Sequence, residues 1–235
     1  MKKNLIVLLA LALAFTSIAA VRAADNQLTD QEKKDGWVLL FNGTDYTGWR
    51  CNNGKEIASE VVDACMQPYK SGGYVVIHEK KFEDFILKCD VKMPERCNSG
   101  IFFRVEEPKN PVHTGFEIQV ATGKGTSCHD FGAIYDLVPL KKNATKGPGV
   151  FNSVEIKCQG AKVSVTLNGE VVCEMDGDEF DEPGERAIPG NHKYQLGGQR
   201  RAIKDFARNG YLGFQDHGHP VWYKNVKLLV LDEEK

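Results

Sequence analysis

Apolar and polar residues alternate along much of this chain, in the pattern of strands that bury one face of a sheet. Because successive side chains of a strand point to opposite sides, the segment 116–120 places its three apolar side chains on one face. Glu117 and Gln119 then stand side by side on the opposite face. The segment 85–91 alternates in the same way, and such segments follow one another without a helical period between them. The pattern therefore predicts an all-β fold.

Tight-turn sequences separate the alternating segments. Asn168-Gly169 is typical of a two-residue hairpin turn, and another turn is predicted at 159–161. About a dozen short strands with almost no helix favour two packed antiparallel sheets. The predicted strands lie at 36–43, 72–77, 85–91, 98–104, 115–120, 131–136, 154–158, 163–167, 171–172, 211–218 and 221–231.

The first residues have the features of a signal peptide rather than of a fold. Lys2 and Lys3 form a positively charged N-terminal region, an apolar stretch covers 5–20, and a cleavage site with small residues follows at 21–23. The apolar stretch is short for a membrane span, so we expect cleavage and export to the periplasm or medium, with no membrane-spanning part. The sequence predicts a signal peptide at 1–23, an N-terminal segment at 24–35 that is loose or forms a short helix, and a single β domain at 36–235.

Charge and cysteine content narrow the function classes. The chain has 30 Lys and Arg residues against 32 Asp and Glu residues, and this balance favours neither nucleic acid nor an anionic membrane as a partner. Seven cysteines in an exported chain make disulfides feasible, but the odd count leaves at least one unpaired. Cys51 and Cys65, which lie in loop-like sequence, are the candidates for a bridge.

The polar face of the segment 98–120 is the candidate functional surface. Arg104 follows Phe103 in the strand predicted at 98–104, and strand pairing would bring its guanidinium to the face that holds Glu117. A carboxylate, an amide and a guanidinium would then share one surface. The alternative is an ordinary solvated face of an antiparallel sheet.

Short motifs occur along the chain in a characteristic order and spacing. They are Leu40-Phe41-Asn42-Gly43, Gly48-Trp49, Asn98-Ser99-Gly100-Ile101, Phe103-Arg104, Phe116-Glu117-Ile118-Gln119, Gly132-Ala133-Ile134-Tyr135, Leu167-Asn168-Gly169, Gly213-Phe214-Gln215-Asp216-His217-Gly218 and Tyr223-Lys224-Asn225-Val226. Together they resemble the 3-keto-disaccharide hydrolase domain over residues 36–231. The resemblance implies a concanavalin-A-like jelly-roll sandwich of two antiparallel sheets, a sugar-facing sheet, and a secreted protein of carbohydrate-degrading bacteria.

The chain departs from the pattern of that family at two positions. After Glu117-Ile118-Gln119 the family usually continues with aliphatic residues and an aspartate, whereas Val120-Ala121-Thr122 follows here. Where the family usually has Trp-Asn, this chain has Phe151-Asn152, which keeps an aromatic ring. The first change removes a carboxylate near the expected site.

Two reaction types fit a sugar site of this composition. A retaining glycosidase needs two carboxyl groups about 5 Å apart, but the position two residues after Glu117 is Gln119. Asp130, Asp136 or Asp216 would have to supply the second carboxyl from elsewhere in the fold. A 3-keto sugar offers another route, because the ketone acidifies the C2 proton. One base removes that proton, the C1 substituent is eliminated, and water then adds to the enone.

The resemblance and this chemistry together suggest residue roles. Glu117 or His217 is the base, and the other protonates the leaving oxygen. Arg104 holds the enolate or a sugar hydroxyl, because a guanidinium stays charged and donates in a fixed fork. Trp222 is an aromatic platform for a sugar ring. The other hydroxyl-binding candidates are Asn98, Gln119, Tyr135 and Gln215.

Cofactor and partner predictions follow from the same hypothesis. The sequence has no glycine motif for a nucleotide cofactor, so a separate sugar 3-dehydrogenase would first oxidise the oligosaccharide or glycoside substrate. A divalent metal is left open, with His129-Asp130, His217 and His219 as candidate ligands. Two alternatives to the keto-sugar enzyme also stay open: a conventional glycoside hydrolase and a non-catalytic carbohydrate-binding module.

Overall fold

Two antiparallel sheets packed face to face form the body of the protein. The computed structural model describes residues 24–183, 195–196 and 199–231, and the predicted signal peptide at 1–23 lies outside the described residues. The six-stranded sheet has the order β1 (Val38–Leu39), β13 (Trp222–Val230), β4 (Phe85–Lys92), β7 (Asn152–Gln159), β8 (Lys162–Leu167) and β9 (Glu170–Asp176).

The second sheet has five strands, and it carries the polar face predicted from the sequence. Its order is β2 (Trp49–Cys51), β3 (Val75–Phe82), β12 (Gly210–Gln215), β5 (Asn98–Val105) and β6 (Phe116–Ala121). The two sheets confirm the predicted jelly-roll sandwich. The remaining elements are the pair β10 (Gln195–Leu196) and β11 (Gln199–Arg200), the short helices α1 (Asp30–Lys34) and α2 (Pro111–Thr114), and 3-10 turns at Gly177–Glu179 and Ile203–Asp205. Within the described ranges, every helix is too short or too polar to span a bilayer.

The alternation of each strand decides which side chains fill the space between the sheets. In β4 buried and half-buried residues alternate along the whole strand. Phe116 and Ile118 of β6 face the core, where the Phe116 ring stacks on Phe103 of β5 with centroids 5.3 Å apart. Each fully buried side chain of this size contributes about 1.5–3 kcal/mol to folding. Core packing therefore fixes which residues of each strand point outward.

A second, smaller apolar cluster lies on the outer face of the five-stranded sheet. Val75, Ile77, Phe102 and Val105 are fully buried there, although they point away from the main core. Val112 of α2 packs against them. This face is therefore partly covered, and polar groups beside the cluster lie in a drier environment than an open sheet surface provides.

The segment 131–136 differs from its predicted strand. It forms a loop along the free edge of β6, with Ile134 paired to Ile118 in an isolated bridge. The backbone N–H of Tyr135 also donates to the carbonyl oxygen of Glu117 at 2.8 Å. These bonds position the loop directly beside the outward-facing residues of β6.

The N-terminal segment 24–35 contains the short helix that was the alternative to a loose segment, and it is docked on the fold. The helix α1 begins at Thr29 with a capping box, in which the Thr29 side chain and the Glu32 side chain each accept a backbone N–H of the other. Asn26 and Asn225 exchange two hydrogen bonds of 2.6 and 2.8 Å. This segment therefore joins the fold through β13.

The bridge predicted between Cys51 and Cys65 is not formed. All seven cysteines are buried free thiols. The Cys51 Sγ lies 3.2 Å from the carbonyl oxygen of Ser71, and the Cys65 Sγ lies 3.3 Å from that of Asp63. Burial raises the pKa of both thiols above its ordinary value, so they behave as small core side chains.

Candidate functional site

Glu117 projects from β6 onto the outer face of the five-stranded sheet. Phe116 and Ile118 face the core, so the strand period sends the carboxyl group outward. The Glu117 residue is nevertheless only 4% exposed. It lies against Gly100 of β5, where an added Cβ would fall 2.2 Å from Glu117 Oε1. Gly100 therefore provides the space in which this carboxyl group is buried.

Amide side chains flank Glu117 on the same face. Gln119 donates from Nε2 to Asn98 Oδ1 at 2.9 Å, and Gln215 of β12 donates from Nε2 to the Tyr74 hydroxyl at 2.6 Å. In the described part of the chain, the buried Oε1 atoms of Gln119 and Gln215 have no hydrogen-bond partner. Buried acceptors of this kind are costly to leave unsatisfied. They suit a ligand that donates hydroxyl protons.

Two tyrosine hydroxyls complete the polar group. Burial, together with the Glu117 carboxylate, raises the pKa of Tyr74 to about 12. Burial and the carboxylates of Asp136 and Glu117 also raise the pKa of Tyr135 above its ordinary value. Both phenols are therefore protonated at neutral pH, so each hydroxyl carries a proton that it can donate to a ligand. Glu117 is therefore close enough to both hydroxyls to raise their pKa values electrostatically.

The loop after β6 adds a histidine and a buried aspartate. His129 Nε2 lies 2.7 Å from Asp136 Oδ1, and the His129 ring centroid lies 5.0 Å from that of Tyr135. The Asp136 side chain is 4% exposed, whereas the His129 side chain is half-exposed. Cys128 brings its Sγ to the same place, so a thiol, an imidazole and a carboxyl group converge. Such a donor set can hold a metal ion.

Asp130, expected beside His129 as a ligand or second carboxyl, has a different position. Its Oδ2 accepts from the backbone N–H and the hydroxyl of Ser127 at 2.8 and 2.7 Å. It therefore closes the turn that carries His129, and Asp136 takes the place beside the imidazole.

Arg104 does not belong to this site, which corrects the prediction. Its backbone is left-handed, with φ of 51°, at a bulge where β5 shifts register against β12. The bulge turns the guanidinium away from the outer face. It is buried and donates to the carbonyl oxygens of Glu83 and Gly160 and to Asp84 Oδ1 at 2.8–3.1 Å. Arg104 thus joins the β3–β4 turn to the β7–β8 turn.

Trp222 is also wrongly predicted as a sugar platform beside Glu117. It belongs to β13 of the other sheet, and Tyr223 next to it is fully buried in the core. Trp222 therefore points outward from the six-stranded sheet, where Lys92 Nζ lies 4.7 Å from its ring centroid. The sequence predicted the strand at 221–231 but could not tell which sheet it joins.

His217 lies in the turn that follows β12. Its side chain is exposed, and its imidazole makes no hydrogen bond to the residues that the structure describes. Asp216 holds this turn by accepting the backbone N–H groups of Lys70 and Gly218 at 2.7 and 2.9 Å. A role for His217 as base or acid is therefore not supported by a contact that would orient it.

The site thus unites Glu117 with most of the predicted hydroxyl-binding residues and adds others that the sequence analysis missed. Gly100 and Tyr74 were not proposed, because their proximity to Glu117 depends on strand register. Gly100 carried one usable signal, since an unexplained glycine inside a strand often marks a close approach. The site residues are Asn98, Gly100, Glu117, Gln119, Tyr74, Tyr135, Gln215, His129 and Asp136.

Comparison with protein families gives one match that covers most of the chain. The family model described as 3-keto-alpha-glucoside-1,2-lyase-like domain matches residues 36–229. This range contains every residue of the site and both sheets of the sandwich, apart from Val230 at the end of β13.

Individual relatives agree with that match. A protein named 3-keto-disaccharide hydrolase from Bacteroides thetaiotaomicron is 24% identical and aligns over 84% of this chain and 79% of its own. The crystal structure of a protein described provisionally as a glycosyl hydrolase, from Parabacteroides distasonis, superimposes with a TM-score of 0.70 at 29% identity, covering 89% of this chain and all of that one. A second such structure from the same species has a TM-score of 0.67 at 25% identity, covering 83% and 99% of the two chains.

Proposed function

Because the chain belongs to the 3-keto-alpha-glucoside-1,2-lyase-like domain family, we propose that it hydrolyses 3-keto-disaccharides. The name of the Bacteroides relative supports this substrate class. The observation that carries the proposal is the buried Glu117 carboxyl group, enclosed by amide and phenol groups on the outer face of the five-stranded sheet. Neutral hydrogen-bonding groups around one base suit an uncharged sugar.

Glu117 is the general base of the proposed reaction. The ketone at C3 acidifies the C2 proton, and Glu117 takes that proton to form an enolate. The C1–O bond then breaks, the electron pair leaves with the glycosidic oxygen, and a C1–C2 double bond forms. Addition of water across this double bond completes a net hydrolysis.

The other groups bind the sugar and hold developing charge. Tyr74 and Tyr135 donate to the ketone and leaving oxygens, because their raised pKa values keep both phenols protonated. The free Oε1 atoms of Gln119 and Gln215 accept from sugar hydroxyls. Asn98 holds the Gln119 amide in this orientation.

We also propose where the reaction takes place and what supplies its substrate. The substrate needs a carbonyl group at C3, so a separate sugar 3-dehydrogenase acts upstream. The signal peptide expected at 1–23 supports a reaction in the periplasm or outside the cell. Both statements rest on the sequence and the substrate chemistry.

Substrate choice tests the proposed function. The purified protein is incubated with a 3-keto-disaccharide and, in parallel, with the unoxidised parent sugar, and products are followed by NMR. We expect cleavage of the keto sugar alone. Cleavage of the parent sugar would contradict the proposal, as would binding of the keto sugar without turnover.

A conventional glycoside hydrolase is the second candidate. One observation favours it: the carboxylates of Asp136 and Glu117 both act on the Tyr135 hydroxyl, so two carboxyl groups lie near one point. In that case Asp136→Asn would abolish cleavage of the parent sugar. The keto-sugar proposal predicts no such cleavage in either protein.

A further inference from the structure

The loop after β6 brings three metal-binding side chains together. Donor atoms of Cys128, His129 and Asp136 all lie within 4.8 Å of one another. Cys128 and Asp136 are buried, while the His129 side chain is half-exposed to solvent. We propose that these residues form a three-ligand site for a divalent metal ion of the zinc type, at the edge of the Glu117 site.

The donor set indicates the class of metal. A thiolate and an imidazole favour zinc and similar transition metals, whereas calcium and magnesium take oxygen ligands. Ligands on one zinc ion, at about 2.0–2.3 Å from it, lie about 3–4 Å apart, so small side-chain shifts suffice here. Three protein ligands with one open position are the pattern of catalytic rather than structural zinc sites.

The backbone of the loop is held in place before any ion binds. Gln119 and the loop exchange two backbone hydrogen bonds of 3.0 Å, through the carbonyl of Ala133 and the N–H of Gly132. The carboxyl group of Asp130 fixes the turn at Ser127, directly before Cys128. The ligands are thus attached to β6 on one side and to a closed turn on the other. This support reduces the ordering cost of metal binding.

The position of the site suggests its role. His129 packs against Tyr135, whose hydroxyl lies within the electrostatic reach of Glu117. The bound ion then acts as a Lewis acid on the ketone or enolate oxygen while Glu117 takes the C2 proton. The metal ion supplies the positive charge that the sequence analysis expected from Arg104. This role, unlike the binding itself, rests on the proposed function.

Cobalt binding tests the site independently of activity. The reduced protein is freed of metal with a chelator and titrated with Co²⁺. We expect binding of one equivalent and a sulfur-to-cobalt charge-transfer band in the near ultraviolet. Absence of that band in the wild-type protein would overturn the site.

Variants identify the ligands. In Cys128→Ser the charge-transfer band is lost, and in His129→Ala the Co²⁺ affinity falls by more than about ten-fold, the scale seen even for outer-shell changes. His129 is half-exposed, so its variant keeps the fold. Cys65→Ser, at another buried free thiol, is the matched control and keeps both band and affinity. A band that survives in Cys128→Ser would contradict the ligand assignment.

Turnover of the 3-keto-disaccharide separates this inference from the proposed function. We expect the metal-free protein and His129→Ala to lose turnover, and added Zn²⁺ to restore it in the wild type alone. Full turnover without metal would overturn the Lewis-acid role and leave the proposed function intact. A metal-loaded protein that binds Co²⁺ as expected but turns over no keto sugar would refute the proposed function and, with it, that role.

Discussion

Arg104 and Glu117 are both ionisable and almost fully buried, on the adjacent strands β5 and β6, yet their surroundings are opposite in kind. The Arg104 guanidinium donates hydrogen bonds to two backbone carbonyls and to the Asp84 carboxylate. Glu117 lies among amides and two phenols, and it raises the pKa of both phenols. A fully compensated charge stabilises a fold. A buried carboxyl group that shifts the pKa values of neighbouring side chains is a feature of functional sites.

The largest expected effect belongs to Glu117. Glu117→Gln keeps the size of the side chain but removes the base, so we expect turnover of the 3-keto-disaccharide to fall by about 10²–10⁴-fold. Unfolding in urea should begin no earlier than in the wild type. The matched control is Glu155→Gln, since Glu155 is paired with Lys88 on the other sheet. An equal loss in the control would mean that the change is not specific to the site.

A change at Arg104 should lower the stability of the fold but leave turnover unchanged. Arg104→Met removes the cation that pairs with Asp84 and the donor to the Glu83 and Gly160 carbonyls, while Asp84 keeps the Gly160 N–H as a donor. We expect a loss of about 3–5 kcal/mol in the free energy of unfolding. Turnover per folded molecule should be unchanged. Arg208→Met breaks a partly exposed pair with Asp178 and should cost only about 0–1 kcal/mol. If Arg104→Met folds normally but is inactive, the guanidinium belongs to the site after all.

A change at Gly100 should affect both the stability of the fold and the turnover of the substrate. A methyl group there collides with Glu117 Oε1, so Gly100→Ala should displace the carboxyl group. We expect about 1–3 kcal/mol of destabilisation and a turnover loss approaching about 10²-fold, the cost of a small misplacement. Gly177→Ala is the control, because its nearest neighbour atom would lie 3.4 Å from the new Cβ. Normal turnover in Gly100→Ala would show that the position of Glu117 does not matter.

The smallest expected effect is a shift in the pKa of Tyr74. Its pKa is raised to about 12, first by burial and then by Glu117. The folded state therefore holds this proton more tightly than the unfolded state does, so stability from Tyr74 is complete below the ordinary pKa of 10.0 and is lost toward pH 12. The phenolate absorbance of Tyr74 is obtained by subtracting the titration of Tyr74→Phe from that of the wild type. Its midpoint should lie near pH 12. In Glu117→Gln the midpoint should move down, and an unmoved midpoint would argue against their proximity.

Arg104 and Glu117 also show which features of the fold can be predicted from the sequence. Alternation is a local property, and it placed Glu117 and Gln119 on one face because core packing fixes the period. Arg104 was assigned to that face because a bulge with positive φ leaves no clear mark in the sequence. Trp222 was misplaced because alternation does not tell which sheet a strand joins. Tyr74 was missed because its contact with Gln215 spans 141 residues and depends on register.

The most direct test of the account is hydrogen exchange at C2 of the bound 3-keto-disaccharide in D₂O, followed by NMR in the wild type and in Glu117→Gln. The account predicts that the wild-type protein exchanges or eliminates the C2 proton during turnover. It predicts that Glu117→Gln binds the sugar but leaves this proton in place. Exchange at the wild-type rate in Glu117→Gln would contradict the assignment of Glu117 as the base. Wild-type cleavage without any change at C2 would contradict elimination itself.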